Sequence, residues 1–491
     1  MVTITFVSKQ MHEMKGSVLI GLFEDEALPK ECAALDKKHS NVISNAISKK
    51  IAQGKEGQIV PLALNEVVLI GLGKRKEDNL RKITNIIGAS MRAIRSLDIK
   101  NCSLYLSSFD NSFALDDLLE KTTLAIHLGL YQYNDYKTKD KDMIKTIDSV
   151  TLLVDKKDAA KAASVMERAT IEAEAVLKTR DLVNTPPNVA VPIYAAEYAK
   201  KLAAKNKLAI TIFDEKKLKE LGLNCYVAVA QASSNPPRMV VLEYKGSGND
   251  APIVLIGKGI TFDTGGINTK PQPSMLTMKD DKAGACAVLH VIEACVRLKL
   301  KINVIGIGAF AENAVSGNAY KPDDIITSYS GITVEVLHSD AEGRMVLCDA
   351  IAYAIDAFKP KAVIDIATLT GAAIVATGYL VSPVMGTNQK LIDDLIASGE
   401  RSFDRLWQLP LWDEHDEILK SDIADIKHVA GDMDAGTIIG AVFLKQFVKE
   451  VPWAHLDVAA TVLSKADKGY RPKGATGFGV LLLLDYLANA K

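Results

Sequence analysis

Between Lys258 and Arg344 the chain concentrates ionisable side chains on glycine-rich segments. The apolar run Pro252-Ile-Val-Leu-Ile-Gly257 opens into Lys258-Gly-Ile-Thr-Phe-Asp263-Thr-Gly-Gly, so a lysine and a carboxylate follow a strand into a loop, where ligands bind in open α/β sheets. Neither GxGxxG nor GxxxxGKS/T occurs at this loop, and Asp263 at its centre would repel a phosphate, which sets nucleotide binding aside. Asn268-Thr-Lys270-Pro follows, then Met278-Lys-Asp280-Asp281-Lys282 ahead of a helix, where Asp280 taken alone fits an N-terminal cap. The third piece is Val334-Glu-Val-Leu-His338-Ser-Asp340-Ala-Glu342-Gly-Arg344. In an extended or turning segment residues two apart share a face, so Asp340 and Glu342 converge, and small Ala341 and Gly343 let backbone carbonyls approach the same point.

Two carboxylates sharing a site repel unless one takes a proton or a cation joins them. Asp263, Asp281, Asp340 and Glu342 sum to a charge of −4, which two divalent cations balance and one does not. Carboxylate-rich ligation suits magnesium, manganese, cobalt or zinc. Two such ions about 3.5–4 Å apart, bridged by carboxylates and water, are the common device for hydrolysing amides and phosphate esters. On spacing alone the alternative, carboxylates that are solvated or cap helices, stays open.

The elements that must position these residues follow an α/β pattern. Short β-type runs (Ser17-Val-Leu-Ile-Gly-Leu-Phe, Glu66-Val-Val-Leu-Ile-Gly-Leu-Gly, residues 102–106 and 150–154) alternate with amphipathic stretches such as 79–96. A helix-forming stretch over 159–182 then connects to Val183-Asn-Thr-Pro-Pro-Asn, where two prolines stop it. Beyond lie further strands near 210–213, 239–244, 252–257, 303–311 and 362–367, with a helix near 284–298. Several of these runs are continuously apolar, as strands buried on both faces are. The expected architecture is two α/β domains, 1–158 and 183–491, joined by the helix 159–182, the second built on a mixed, largely parallel sheet flanked by helices.

The 491 residues are 48% hydrophobic and 24% charged, which excludes collagen-like, disulfide-scaffold and disordered classes. Lys plus Arg is 59 against 60 for Asp plus Glu, so the net charge of −1 gives polyanions no general attraction. Cys32, Cys102, Cys225, Cys286, Cys295 and Cys348 are scattered singly without a CxxC pair, which fits a reducing compartment. Met1-Val-Thr-Ile-Thr-Phe alternates like a strand rather than a signal peptide, and apolar runs such as 480–484 fall far short of the roughly 20 residues a membrane span needs. A cytoplasmic location without membrane attachment is expected.

Taken together, Gly257-Lys-Gly-Ile-Thr-Phe-Asp-Thr-Gly-Gly, Met278-Lys-Asp-Asp and Ser339-Asp-Ala-Glu-Gly-Arg resemble the leucyl aminopeptidase family, the cytosolic dinuclear metalloexopeptidases. Asn184-Thr-Pro-Pro-Asn, Pro236-Pro-Arg-Met-Val-Val-Leu-Glu-Tyr, Ala367-Thr-Leu-Thr-Gly-Ala, Trp453-Ala-His-Leu-Asp-Val-Ala and Lys473-Gly-Ala-Thr-Gly flank them in order across the second domain. The resemblance implies a catalytic domain over 183–491 and an oligomerisation or regulatory role for 1–158. It implies two divalent ions per subunit, Mn²⁺ or Zn²⁺ with Mg²⁺ or Co²⁺ as alternatives, held by Lys258, Asp263, Asp281, Asp340 and Glu342. Lys258 would coordinate as the neutral amine, which adjacent cations favour. Lys270 would polarise the scissile carbonyl, and Arg344 would anchor a bicarbonate-like anion that takes a proton from a metal-bridging water. The first side chain of the peptide would enter a pocket of Met278, Thr368, Gly371, Ala459 and Val462, with the Leu369 backbone as a polar contact. Leucine and similar apolar residues suit that lining. Peptides with a free N-terminus are the implied substrates, and a homohexamer with inward-facing sites the implied assembly.

Departures from the family pattern bear on specificity. His338-Ser339 stands where Asn-Thr is usual, and a supporting or packed histidine fits better than an extra ligand because the ligand set is already full. Lys282 replaces a usual methionine, Asn224-Cys225 a Met-Gly, and Val462 a methionine sometimes found there; a cation at 282 is expected to alter metal affinity or preference. His415 and His428 lie in the acidic stretch 412–434 without an HExxH pair, which excludes a zincin mechanism, and no GxSxG elbow occurs. A different class of function, DNA binding as an accessory factor, rests on Lys37-Lys38, Lys49-Lys50 and Lys74-Arg-Lys, but interleaved acids weigh against nucleic acid as a partner.

Overall fold

The protein is described by a computed structural model covering residues 1–77, 79–109, 112–154, 159–430 and 435–490. The expected end of the first domain at Asp158 and of the acidic stretch at Asp434 lie outside the described residues. The chain divides into two compact units, residues 1–174 with Ser464–Lys473, and residues 175–463 with the stretch from Gly474 onward.

In the first unit, β1 (Thr3–Val7), β2 (Ser17–Phe23), β3 (Ile59–Leu62), β4 (Val67–Gly73), β5 (Asn101–Tyr105) and β6 (Ser149–Leu153) form a sheet in the order β1-β6-β5-β2-β4-β3. All neighbours are parallel except the edge strand β3. β2 and β4 are buried along their whole length, which explains their unbroken apolar sequence. The helix Leu80–Ser96 starts where the Asn79 side chain accepts the Lys82 amide at 2.9 Å, and buries Ile83, Ile86, Ile87, Met91 and Ile94 at helical spacing. Residues 464–473, assigned from sequence to the second domain, pack in this first unit. A Cβ on Gly88 would lie 2.5 Å from the Tyr470 Cα, so a glycine is required where that segment crosses the helix.

The second unit carries β7 (Ala209–Phe213), β8 (Arg238–Lys245), β9 (Ile253–Asp263), β10 (Asn303–Asn313), β11 (Ile325–Thr327), β12 (Thr333–Glu335), β13 (Ala362–Ala367), β14 (Ser382–Gly386), β15 (Leu406–Gln408), β16 (Ile426–Lys427) and β17 (Trp453–Asp457). Eight of them form a sheet ordered β15-β14-β17-β13-β9-β10-β8-β7. Its centre, β17-β13-β9-β10, is parallel, with antiparallel pairing on either side, so the mixed, largely parallel architecture expected from sequence is observed. β11, β12 and β16 make a small separate ladder. The helices Ala283–Leu298 and Glu342–Phe358 are buried over most of their length against this sheet, and each buried Val, Ile or Leu contributes about 1.5–3 kcal/mol. The connecting helix runs Ala159–Asn184, two residues past its expected end, and the division between units falls within it. No helix among the described residues is long and apolar enough to cross a membrane. All six cysteines are buried and unpaired with one another in disulfides.

Buried histidines give this fold a pH response, and His290 is one of them. His290 is enclosed with its Nδ1–H donating to the Cys286 carbonyl at 2.8 Å and its Nε2 facing the Tyr198 hydroxyl at 2.8 Å. Burial holds its pKa down to about 4, below the ordinary 6.5. Because the folded pKa is lowered, its stabilisation is present above pH 6.5 and lost as pH falls toward 4, with a limit of about 3 kcal/mol. Urea midpoints are expected to fall over that range, and His290→Gln to flatten the fall. An unchanged slope in the variant would contradict the assignment.

Candidate metal centre

The chemistry-bearing residues gather at the carboxyl ends of the parallel strands. Lys258 projects from β9 and Asp263 ends it; Thr368–Gly371 follow β13; Ala459 and Val462 follow β17. Asp281 lies on the short 3-10 turn Met278–Lys282, and Glu342 opens the helix Glu342–Phe358 just after Asp340. Gly284 and Gly343 permit this closeness. A Cβ on Gly284 would sit 2.0 Å from the Ile366 carbonyl, and one on Gly343 would sit 2.4 Å from the Lys258 Cε.

Lys258 is buried, and its Nζ donates to Asp281 Oδ1, Glu342 Oε1 and the Thr368 carbonyl, each at 2.8 Å. Lys270 pairs with Asp263 Oδ2 at 2.7 Å and with Asp340 Oδ1. The second oxygen of Asp263 accepts the Gly265 amide and the Asn313 side-chain amide, both at 2.8 Å. Asp263, Asp340 and Glu342 each offer an oxygen within 4.8 Å of the others. Thr368 Oγ1 donates to Asp281 Oδ1 at 2.5 Å, while Asp281 Oδ2 is buried without a partner.

Burial, then the neighbouring carboxylates Glu342 and Asp263, push Asp281 up to about 8 against the pull of Lys258. Burial, then Asp263 and Glu342, push Asp340 up to about 7. Burial alone would lower both lysines, but the surrounding carboxylates outweigh it and raise them. Four carboxylates thus face two ammonium groups; fully ionised they would leave two negative charges in excess, which is why Asp281 and Asp340 hold their protons to higher pH. That surplus, the orphaned Asp281 oxygen and an oxygen-rich donor set with one amine fit hard or borderline divalent cations.

Arg344 is buried one turn into the same helix. Its Nη1 donates to the His428 carbonyl at 2.7 Å, its Nε has no partner, and burial lowers its pKa to about 10. A buried guanidinium with an unfilled donor fits an anion. Among the expected pocket residues, Met278 shares the Asp281 turn, and the Leu369 and Ala459 amides both point to Asp457 Oδ1, at 3.1 and 3.3 Å. Gly371 is exposed, with open space where a Cβ would stand, and Val462 is buried.

The departures have specific places. His338 is half-buried and its Nδ1 accepts the Asp340 amide at 3.3 Å; it is not in the carboxylate cluster. Lys282 spends its buried ammonium on the carbonyls of Val183, Thr185 and Lys279, at 3.1, 3.3 and 2.5 Å, so it ties the Asp281 turn to the end of the connecting helix. Burial lowers its pKa to about 8. Lys282→Met is therefore expected to cost about 1–3 kcal/mol of stability, the penalty of stranding buried acceptors, with Mn²⁺ affinity by calorimetry held within about threefold. A shift in metal preference without a stability loss would overturn this account.

Sequence reasoning gave no supporting role to several residues that hold the cluster together. Asn313 pairs with Asp263 across β10 and β9. Ser339 donates to the Gly265 carbonyl at 2.7 Å and accepts the Asn268 amide at 2.8 Å, while its own carbonyl accepts the Tyr320 hydroxyl at 2.7 Å. The only available signal for Asn313 was a polar residue ending an apolar strand.

Residues 177–484 match the catalytic domain of the cytosol aminopeptidase family, and residues 19–140 match that family's N-terminal domain. The chain is 42% identical over 482 residues to a cytosol aminopeptidase of Pseudomonas aeruginosa and 42% identical over 480 residues to a probable cytosol aminopeptidase of Geobacter sp., covering 96% of each chain in both cases. Among solved structures it is similar to a variant of tomato leucine aminopeptidase (TM-score 0.88, 31% identity, 99% of this chain and 96% of that one). It is also similar to the bottromycin maturation enzyme BotP in complex with Mn (TM-score 0.84, 30% identity, 96% and 98%).

Proposed function

Since the chain belongs to the cytosol aminopeptidase family, whose members are metal-dependent peptide hydrolases, we propose that it removes the N-terminal residue of peptides at a site for two divalent ions, favouring leucine and similar apolar residues. The observation that carries this reading is the convergence of Asp263, Asp340 and Glu342 within 4.8 Å, joined through Lys258 to Asp281 with its unpartnered oxygen.

Lys258, Asp263, Asp281, Asp340 and Glu342 would hold the ions, manganese or zinc by preference, with magnesium or cobalt as alternatives. When bound, divalent ions supply Lewis acidity toward a carbonyl and make water a nucleophile at neutral pH. Lys258 would serve as a neutral amine, since ions engaging Asp281 and Glu342 would remove two of the three acceptors that hold its proton. Lys270, the ammonium between Asp263 and Asp340, would polarise the scissile carbonyl. Arg344, with its free Nε, would hold a bicarbonate-like anion as proton acceptor. Asp457 fixes the Leu369 amide and, through Thr370 Oγ1 at 2.7 Å, the loop that would face the substrate backbone. Met278, Thr368, Gly371, Ala459 and Val462 would line the first side-chain pocket.

The same reading proposes a cytoplasmic homohexamer whose residues 1–158 serve assembly or regulation, with the connecting helix 159–182 leading to a catalytic domain over 183–491. Release of leucine from Leu-amide by purified protein tests the reaction. Activity is expected to vanish on chelation and to return with Mn²⁺ or Zn²⁺, with Mg²⁺ as a comparison. Full activity after metal loss is verified by elemental analysis would overturn the proposal.

A further inference from the structure

His428 lies at the end of β16, which pairs in parallel with β12, and its backbone amide continues that ladder to the Glu335 carbonyl at 3.1 Å. The ring is wholly buried and packs edge-on to Phe443, with centroids 6.5 Å apart. Its ring and its carbonyl make further contacts. Nδ1 receives the Leu337 amide at 3.2 Å, with the Glu335 carbonyl also 3.2 Å away. Nε2 faces the His338 carbonyl at 2.9 Å. The backbone carbonyl accepts Arg344 Nη1 at 2.7 Å.

A carbonyl oxygen can only accept, so Nε2 carries a proton toward His338; burial, then the Arg344 charge, keeps the ring neutral, so Nδ1 carries none and, between the Leu337 amide and the Glu335 carbonyl, accepts the amide. Contacts and burial together select one neutral tautomer. That tautomer grips Leu337 and His338, immediately before Ser339-Asp340-Ala341-Glu342, while the same residue's carbonyl fixes the guanidinium of Arg344. The cluster's carboxylates, through the ring, and the proposed anion anchor, through the backbone carbonyl, are thereby referenced to a single buried residue.

We infer that His428 is a positioning residue that keeps Arg344 in register with the loop bearing Asp340 and Glu342. It touches neither cluster nor substrate and acts through geometry, where a displacement of about 1 Å can cost on the order of 100-fold in rate. This inference rests on the aminopeptidase reading for its kinetic consequence and on the hydrogen-bond pattern for its structural one.

His428→Phe keeps the ring's shape and its contact with Phe443 but removes both side-chain hydrogen bonds. It is expected to lower kcat on Leu-amide by about 10–100-fold with KM within about twofold. His428→Gln, which keeps a donor toward the His338 carbonyl, should recover most of that loss. In an Arg344→Met background the same Phe substitution should cost less than about threefold, because two residues acting through one geometry are not additive. Wild-type kcat in the Phe variant, or equal losses in both backgrounds, would overturn the inference. An imidazole ¹⁵N spectrum provides a readout separate from turnover: the signals lost in His428→Gln are expected to show a protonated Nε2 and an unprotonated Nδ1. The opposite tautomer would overturn the inference even in an active enzyme. If wild-type protein fails to release leucine, the aminopeptidase reading falls while the spectrum still decides the clamp; if the Phe variant does not fold, the Gln variant and the spectrum decide it.

Discussion

Asp340→Ala is expected to lower turnover of Leu-amide by about 10²–10³-fold or more, the lower bound being what removal of one preorganised electrostatic partner costs, while the ion-free protein melts no earlier than wild type. The two effects point in opposite directions for one reason. Asp340 crowds Asp263 and Glu342, and the three share only the ammonium groups of Lys258 and Lys270 with Asp281. Deleting one carboxylate relieves that repulsion, and the Asp340 side chain is 25% exposed, so no sealed cavity results. Function, by contrast, loses a charge that the proposed pair of cations requires. Thermal melts in chelator alongside kinetics with Mn²⁺ would check both halves. Normal turnover in the variant would refute the ligand assignment, and a collapsed melt would show Asp340 to be structural.

Arg344→Met is expected to reduce kcat by about 10²–10³-fold, the contribution general-base assistance usually makes, and to abolish any acceleration by added bicarbonate in carbonate-depleted buffer. Methionine fills much of the same space, so the fold loses mainly the bond to the His428 carbonyl. Removing a buried cation whose proton burial has already loosened, to a pKa of about 10, offsets part of that loss. Arg344→Lys should not restore the rate, because a point charge cannot reproduce a planar fork of donors. A variant that keeps its bicarbonate response would place the anion elsewhere.

Much of this centre was legible in the chain because its chemistry is local. Lys258 and Asp263 share a strand, Asp340 and Glu342 share a turn, and the surplus of acids over bases there is visible by counting. The sheet was legible for a similar reason: strands such as β9, β10 and β13 are apolar on both faces, which marks them as central. His428 was not legible. Its side-chain partner Leu337 lies 91 residues earlier, and the ladder that brings them together is only two residues long on the His428 side, too short for any periodicity. Asp457 escaped notice because its partners, Leu369 and Thr370, lie on a different strand's exit loop. Lys282 suggested a cation beside the metals, but the Lys279 carbonyl of its own turn and two carbonyls from the end of the connecting helix capture its ammonium, and only the fold supplies those two.

The placement of residues 464–473 in the first unit bears on how the polypeptide is made. Most of that unit leaves the ribosome early, yet the strip carrying Tyr470, which fits against Gly88, is translated only after nearly all of the second unit. Domains that fold one after another during synthesis normally finish in order. Here the first unit must wait, its notch at Gly88 unfilled, until residues 464–473 have been made. A nascent chain arrested before residue 464 should therefore remain protease-sensitive in its first 174 residues, and extension past residue 473 should protect them.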